Sequence, residues 1–271
     1  MKKPVYILPN SFGPFEGPGV KYMVKKALSK CKMVTAREQR SVDAVKKDLN
    51  MNIALFPDLA FFLENGNVKR EDLLKKFIIP GDRKIVAITM RPYRFPNSAN
   101  PLEAYTVFKN EFRGFIEWLY QAGYMPLIIE HTFAITSHEN DGDCIADVID
   151  GLSADSYRLL SDRTMNCREL KSVYGCCDYI VGTRFHSLVF SLSNGVPGIA
   201  ISYDGYKSIG IMRDMGLEEF VLDISDVRAS TLEQKFETMV DNSRDIKRKI
   251  SNYIYVANME RKELVSLMEI K

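Results

Sequence analysis

The sequence lacks most of the features that would place it in a specialised class. No run of eighteen apolar residues occurs, so no segment reads as a membrane span. The amino-terminal MKKPVYILPNSFGPF has two lysines, but prolines interrupt its short apolar stretch, and neither the apolar core nor the cleavage site of a secretory leader is expected there. Neither sign of charge dominates: 37 Lys and Arg against 35 Asp and Glu leave a formal +2, without the basic surplus of a nucleic-acid-binding protein. The five cysteines are odd in number, form no CxxC, and include the adjacent Cys176 and Cys177. That is neither a disulfide framework nor a zinc pattern, and it reads as reduced, mostly buried thiols. The expected location is the cytoplasm, at most peripheral at the inner face of the membrane. Internal repeats and low-complexity segments are missing. Histidine is scarce, with three in 271 residues, so each one is conspicuous.

What is present is an apolar fraction of 46%, enough for a sizeable core, arranged as short β-type runs alternating with helical stretches. VYILP (5–9), KMVTA (32–36) and NIALF before Pro57-Asp58 read as strands separated by helices over about 18–30 and 37–49, a βαβαβ piece. Residues 66–83 read as a linker with a short helix. A stronger pattern follows. Strands are expected at KIVAITM (84–90), MPLIIE (125–130), YRLLS, DYIVG, GIAISY (198–203) and FVLDI. Helices are expected at 101–122, CIADVIDGL, CRELKSVYGCC, SLVFSLSNG and 206–216. The fold class is therefore α/β: two Rossmann-like parallel-sheet domains, the first (1–65) incomplete and the second spanning 84–228. The charged helices of 229–271 carry a stripe of Ile246, Ile250, Ile254 and Ala257, which reads as core packing and is compatible with a return onto the first domain.

Ligands of such sheets bind at the carboxyl ends of strands, so polar residues just after strands carry the functional reading. They are Asn10, Ser11 and Gly13 after the first strand, Arg37 and Glu38 after the second, and Asp58 after the third. In the second domain they are Arg91, Glu130 with His131, Arg184 with His186, and Asp204 with Lys207. Arg91, Arg184 and Lys207 in one cleft make an anion site, because a guanidinium fork matches carboxylate and phosphate oxygens. A helix starting at Ser187 adds free backbone N–H groups and a positive dipole end. The alternative for each arginine is a structural ion pair, and for His186 a satisfied structural histidine. An imidazole beside that anion site suits general acid/base work. Gly182 is expected to let the chain turn out of the sheet, with Phe185 pointing back into the core. EHTFAITSHENDGDC resembles a metal loop only in composition. Its spacing fits no ligand template, so no metal is expected; its acids could reach substrate.

In order, LPNSFGPF, TAREQRS, FPDLAF, AITMRPY and CDYIVGTRFHSLVFSLSNGVPGIAISYDGYK resemble the polysaccharide pyruvyl transferase family, from about residue 4 to about residue 225. The resemblance implies a two-domain GT-B-like fold. It also implies an enzyme that transfers an enolpyruvyl unit from phosphoenolpyruvate to a sugar of a bacterial exopolysaccharide or cell-surface glycan, closing a pyruvate ketal. The family's Arg-x-His falls on Arg184 and His186, its first-strand arginine on Arg91, and its lysine on Lys207, with Tyr206 where a proline is more usual. The resemblance gives the cations the carboxylate and phosphate of the donor, and His186 the acid/base role. Asn10, Ser11, Gly13, Arg37, Asp58, Glu130, His131 and Asp204 are assigned to the acceptor side or the cleft. The partners implied are phosphoenolpyruvate as a substrate and a sugar or lipid-linked oligosaccharide acceptor, with no cofactor.

Two other readings stay open. One is a GT-B glycosyltransferase using a nucleotide sugar, with Glu218 or Glu219 as the ribose ligand. The other is an inactive fragment acting as a partner protein. Family members carry a longer segment ahead of SFGPF. A first domain of 65 residues is small for its own core and leaves a sheet edge open. A longer gene, a second chain or copy completing the sheet, and a minimal variant are the three explanations.

Overall fold

The computed structural model describes residues 3–136, 139–203 and 207–268. Asp204, Tyr206 and His138 lie outside the described residues. Two parallel sheets are present. The first holds β1 (Tyr6–Asn10), β2 (Met33–Ala36) and β3 (Ala54–Leu55), joined through α1 (Val20–Leu28) and α2 (Gln39–Leu49). β3 is only two residues long, because Pro57 and Asp58 turn the chain into a 3-10 turn at Leu59–Phe62. The outer edge of β1 has no partner strand among the described residues.

After α3 (Arg70–Lys76) the second sheet begins. Its strands are β4 (Lys84–Thr89), β5 (Tyr124–Ile129), β6 (Arg158–Leu160), β7 (Tyr179–Gly182), β8 (Gly198–Ser202) and β9 (Val221–Asp223), in the order β6-β5-β4-β7-β8-β9. That is the doubly wound order, with its switch point between β4 and β7. The covering helices are α4 (Pro101–Gln121), α5 (Asp141–Ile149), α6 (Cys167–Gly175), α7 (Phe185–Leu192), α8 (Lys207–Asp214), α9 (Ala229–Asp241) and α10 (Ser243–Leu267). No helix of the described residues is long and apolar enough to cross a membrane.

The strands of the second sheet are apolar on both faces because helices cover both; Ile85 to Ile88 and Ile180 to Val181 are fully buried. α4 lays Phe108, Phe112, Phe115, Ile116 and Leu119 along one stripe, all at most 1% exposed. The first sheet has a separate cluster of buried residues, Phe15, Leu28, Val45 and Leu49. α10 packs on the 3-10 turn that follows β3: Tyr253 lies on Phe61 with ring centroids 5.3 Å apart, and Arg261 lies over Phe62. Phe61 is part of the core of the second sheet, with Phe62 and Tyr253 packed against it. Of the expected stripe, Ile246, Ile250 and Ala257 are buried.

Candidate functional site

Register explains why separate strand ends meet. Ile88 of β4 lies opposite Ile128 of β5 and Val181 of β7. Arg91, His131 and Arg184, each the same number of residues further on, therefore leave the sheet at one level across the switch point. The two arginines converge on a single carboxylate. Arg91 Nη2 donates to Glu139 Oε1 and Arg184 Nη1 to Glu139 Oε2, both at 2.9 Å. Arg184 is fixed from behind by Asp141, whose Oδ1 accepts from Nε at 2.8 Å and Nη2 at 2.6 Å. Asp141 is fully buried, and its Oδ2 accepts the backbone N–H of Thr132. Burial pushes the Asp141 carboxyl up to about 6 against the pull of Arg184. Arg91 stacks on the Tyr203 ring at 4.1 Å.

Glu139 and Asp141 come from the loop that composition alone likened to a metal site. The structure uses their acids as partners of the arginines. The helix expected from Cys144 starts at Asp141, since two acids in its first turn suit the positive helix end.

The Arg-x-His stretch is held from below. Ser187 is fully buried; its Oγ donates to the Arg184 carbonyl at 2.6 Å and meets Thr89 Oγ1 at 2.9 Å. It fastens the turn from inside the fold, and α7 begins two residues before it. Gly182 is required for a different reason than chain reversal. A Cβ there would lie 2.9 Å from Ser187 Oγ and 3.0 Å from Thr89 Oγ1, and its φ is not in the left-handed region. Phe185 is 7% exposed and takes the Arg37 guanidinium over its ring at 4.3 Å.

His186 is half-exposed and faces the first sheet, where Asp58 Oδ2 lies 3.8 Å from its Nε2. Asp58 is held by Arg37 Nη1 at 2.7 Å and by the Ala60 N–H at 2.8 Å. Burial raises its pKa, but the facing His186, the Ala60 N–H and the Arg37 charge outweigh burial and hold it below the usual carboxylate range. Arg37 Nε also donates to Ser11 Oγ, whose hydroxyl donates to buried Glu38. Ser11 and Arg37 are thus chained to Asp58, which faces His186. Asn10 is exposed and accepts the N–H of its neighbour Ser11, and Gly13 (φ 87°) turns the loop over Ala44 of α2; neither touches His186 in any recorded contact.

A cavity of about 820 Å³ opens beside His186 and is lined also by Glu130, His131 and Phe190, with Leu59, Phe62, Met165 and Leu264 as apolar walls. His131 Nδ1 shares a 2.9 Å hydrogen bond with the Tyr174 hydroxyl. Burial, helped by His186 and Arg184, drives its pKa down to about 3, so it stays neutral. Glu130 is buried and accepts the Ser161 hydroxyl. Lys207 opens α8 just past β8. Glu218 and Glu219 precede β9, at the amino end of the sheet, and are far from suited to a ligand at its carboxyl ends.

Two parallel sheets, the second in this doubly wound order, define a GT-B-like α/β protein in which two arginines meet across the switch point of the second sheet. The chain belongs to the polysaccharide pyruvyl transferase family, whose model matches residues 1–205. It is 25% identical over 259 residues to the amylovoran biosynthesis protein AmsJ of Erwinia amylovora, covering 93% of this chain and 62% of that protein. The chain thus spans less than two thirds of that relative. Among solved structures, a glycosyltransferase of Rickettsia africae superposes with a TM-score of 0.60 at 13% identity, covering 96% of this chain and 69% of that one. HepE of Anabaena, crystallised with UDP and glucose, gives 0.58 at 12% identity, covering 99% and 72%. These likenesses establish the GT-B fold.

Proposed function

We propose that the protein transfers the enolpyruvyl unit of phosphoenolpyruvate to a sugar of a bacterial cell-surface polysaccharide and closes it as a pyruvate ketal. The observation that carries the reading is the convergence of Arg91 and Arg184 on one carboxylate beside His186, in a chain of this family. Two guanidiniums at one level hold a small, densely charged anion by its carboxylate and phosphate, and Lys207, after β8, is the third cation for the departing phosphate.

In the reaction His186 gives a proton to the methylene carbon of the donor, making a methyl group and an oxocarbenium-like centre at the neighbouring carbon. One sugar hydroxyl adds there and returns its proton to the imidazole. The carbon–oxygen bond to phosphate then breaks, phosphate leaves with its electron pair, and a second hydroxyl of the same sugar adds and gives its proton to the departing phosphate. The balance is one donor plus one diol giving one ketal and one phosphate. Asp58 steadies the imidazolium in the proton-carrying state, and the acceptor enters through the cavity lined by His186, His131 and Glu130. That cavity's apolar walls favour an acceptor with an apolar portion, such as a lipid-linked oligosaccharide.

A nucleotide sugar is the second reading, suggested by the glycosyltransferase fold. The position of Glu218 and Glu219 at the wrong end of the sheet weighs against it. Phosphate release from phosphoenolpyruvate with a panel of sugars tests the proposal, and a thermal shift with phosphoenolpyruvate but not with UDP- or GDP-sugars separates the two readings. His186→Ala should lower turnover by at least about 100-fold while leaving the melting temperature close to wild type; near-normal pyruvylation by that variant would remove His186 from the mechanism.

A further inference from the structure

The two carboxylates around the arginine pair differ in a way that has a consequence for ligand binding. Asp141 is fully enclosed, and both of its oxygens are engaged, one by Arg184 and one by the Thr132 N–H. It is a permanent part of the turn. Glu139 is 52% exposed in its side chain, and among the described residues its carboxylate is held by the two arginines, one on each oxygen. Its backbone is tied separately, because Arg184 Nη2 donates to the Glu139 carbonyl at 2.8 Å. The side chain can therefore swing away by rotation about its own bonds while the main chain stays in place.

We propose that Glu139 is an internal stand-in for the donor's carboxylate: it bridges Arg91 and Arg184 as a substrate carboxylate would, and an anion enters by displacing it. With both acids in place, the two guanidiniums and two carboxylates sum to zero, so the group offers an anion no net attraction. Moving Glu139 outward exposes one uncompensated positive charge and two free guanidinium edges. Glu139 thereby sets which anions bind. A ligand must match a bridging carboxylate in shape and exceed it in charge, which favours a compact polyanion carrying both carboxylate and phosphate over a simple monocarboxylate. The intramolecular competitor lowers the apparent affinity for every anion by the fraction of time it holds the arginines.

The identity of the anion rests on the function proposed above, but the displacement itself does not. The test is calorimetric titration of wild type and Glu139→Gln with phosphoenolpyruvate, and in parallel with inorganic phosphate, together with the KM and kcat of phosphate release. Glu139→Gln should bind both anions at least about tenfold more tightly, with KM for phosphoenolpyruvate falling in step and kcat little changed. If Glu139 instead holds the arginines in working position, the variant binds both anions equally well or more weakly and kcat drops; that result overturns the inference, as does failure of either anion to bind either protein. Tighter anion binding by the variant with no turnover on any sugar leaves Glu139 in this role and removes the donor reading. Turnover with unchanged anion affinity does the reverse.

Discussion

At the scale of single residues, the candidate site is built from paired side chains that hold one another in place. Asp58 and His186 are the clearest case, since Asp58 follows the first sheet's last strand, His186 lies in the helix after β7, and they are 3.8 Å apart. Asp58→Asn keeps the shape and the Ala60 contact but removes the charge facing the imidazole. It should reduce kcat by about 10–100-fold with a smaller change in KM for the donor, whose arginines are untouched; an unchanged kcat would show that Asp58 serves only Arg37. Arg91, Arg184, His186 and Asp58 could be picked out as candidates in the sequence because each is a polar residue placed just after a strand. Their partners could not. Glu139 and Arg184 are separated by 45 positions, and nothing in the composition of their loop distinguishes an acid that caps a guanidinium from one that faces water. Gly182 was legible as a necessary glycine, but the cause is the closeness of two hydroxyls, which appears only when β4 and α7 are packed together.

At the scale of elements, alternation of apolar runs with amphipathic stretches was sufficient for the order of strands and helices. What it could not supply was register, and register is what brings Arg91, His131 and Arg184 to one level. Element ends moved where capping chemistry decides them, as at Asp141. The 3-10 turn at Leu59–Phe62, which follows the strand read at NIALF and for which no element is expected from the sequence, shows how an irregular element is held in place. Lys171 of α6 is 3% exposed, and its ammonium donates to the carbonyls of Ala60, Phe61 and Leu63. That one side chain ties the turn carrying Asp58's neighbours to the second sheet. Lys171→Met fills similar space but strands those carbonyls, and should cost about 2–3 kcal/mol of stability, measured by denaturant unfolding. A loss within error of zero would mean that water replaces the ammonium there.

At the scale of the whole molecule, acid should loosen the protein through His131. Its folded pKa, about 3, lies below the ordinary histidine value of 6.5. As pH falls from 6.5 toward 3, the unfolded chain binds a proton that the folded one refuses. Stability is therefore complete above pH 6.5 and declines below it, by up to about 1.4 kcal/mol per pH unit from this residue. His131→Gln should flatten the dependence of melting temperature on pH in that window; parallel curves for variant and wild type would assign the acid sensitivity elsewhere.

The contact between Asp58 and His186 also joins the two sheets. Asp58 follows the last strand of the first sheet, and His186 lies in the helix after β7 of the second, 3.8 Å away. Arg91 and Arg184, by contrast, both follow strands of the second sheet and share Glu139. Under the reaction proposed above, the anion grip would thus belong to one sheet and the setting of its proton carrier to both, so a hinge movement of the kind familiar in two-domain enzymes would part the second without touching the first.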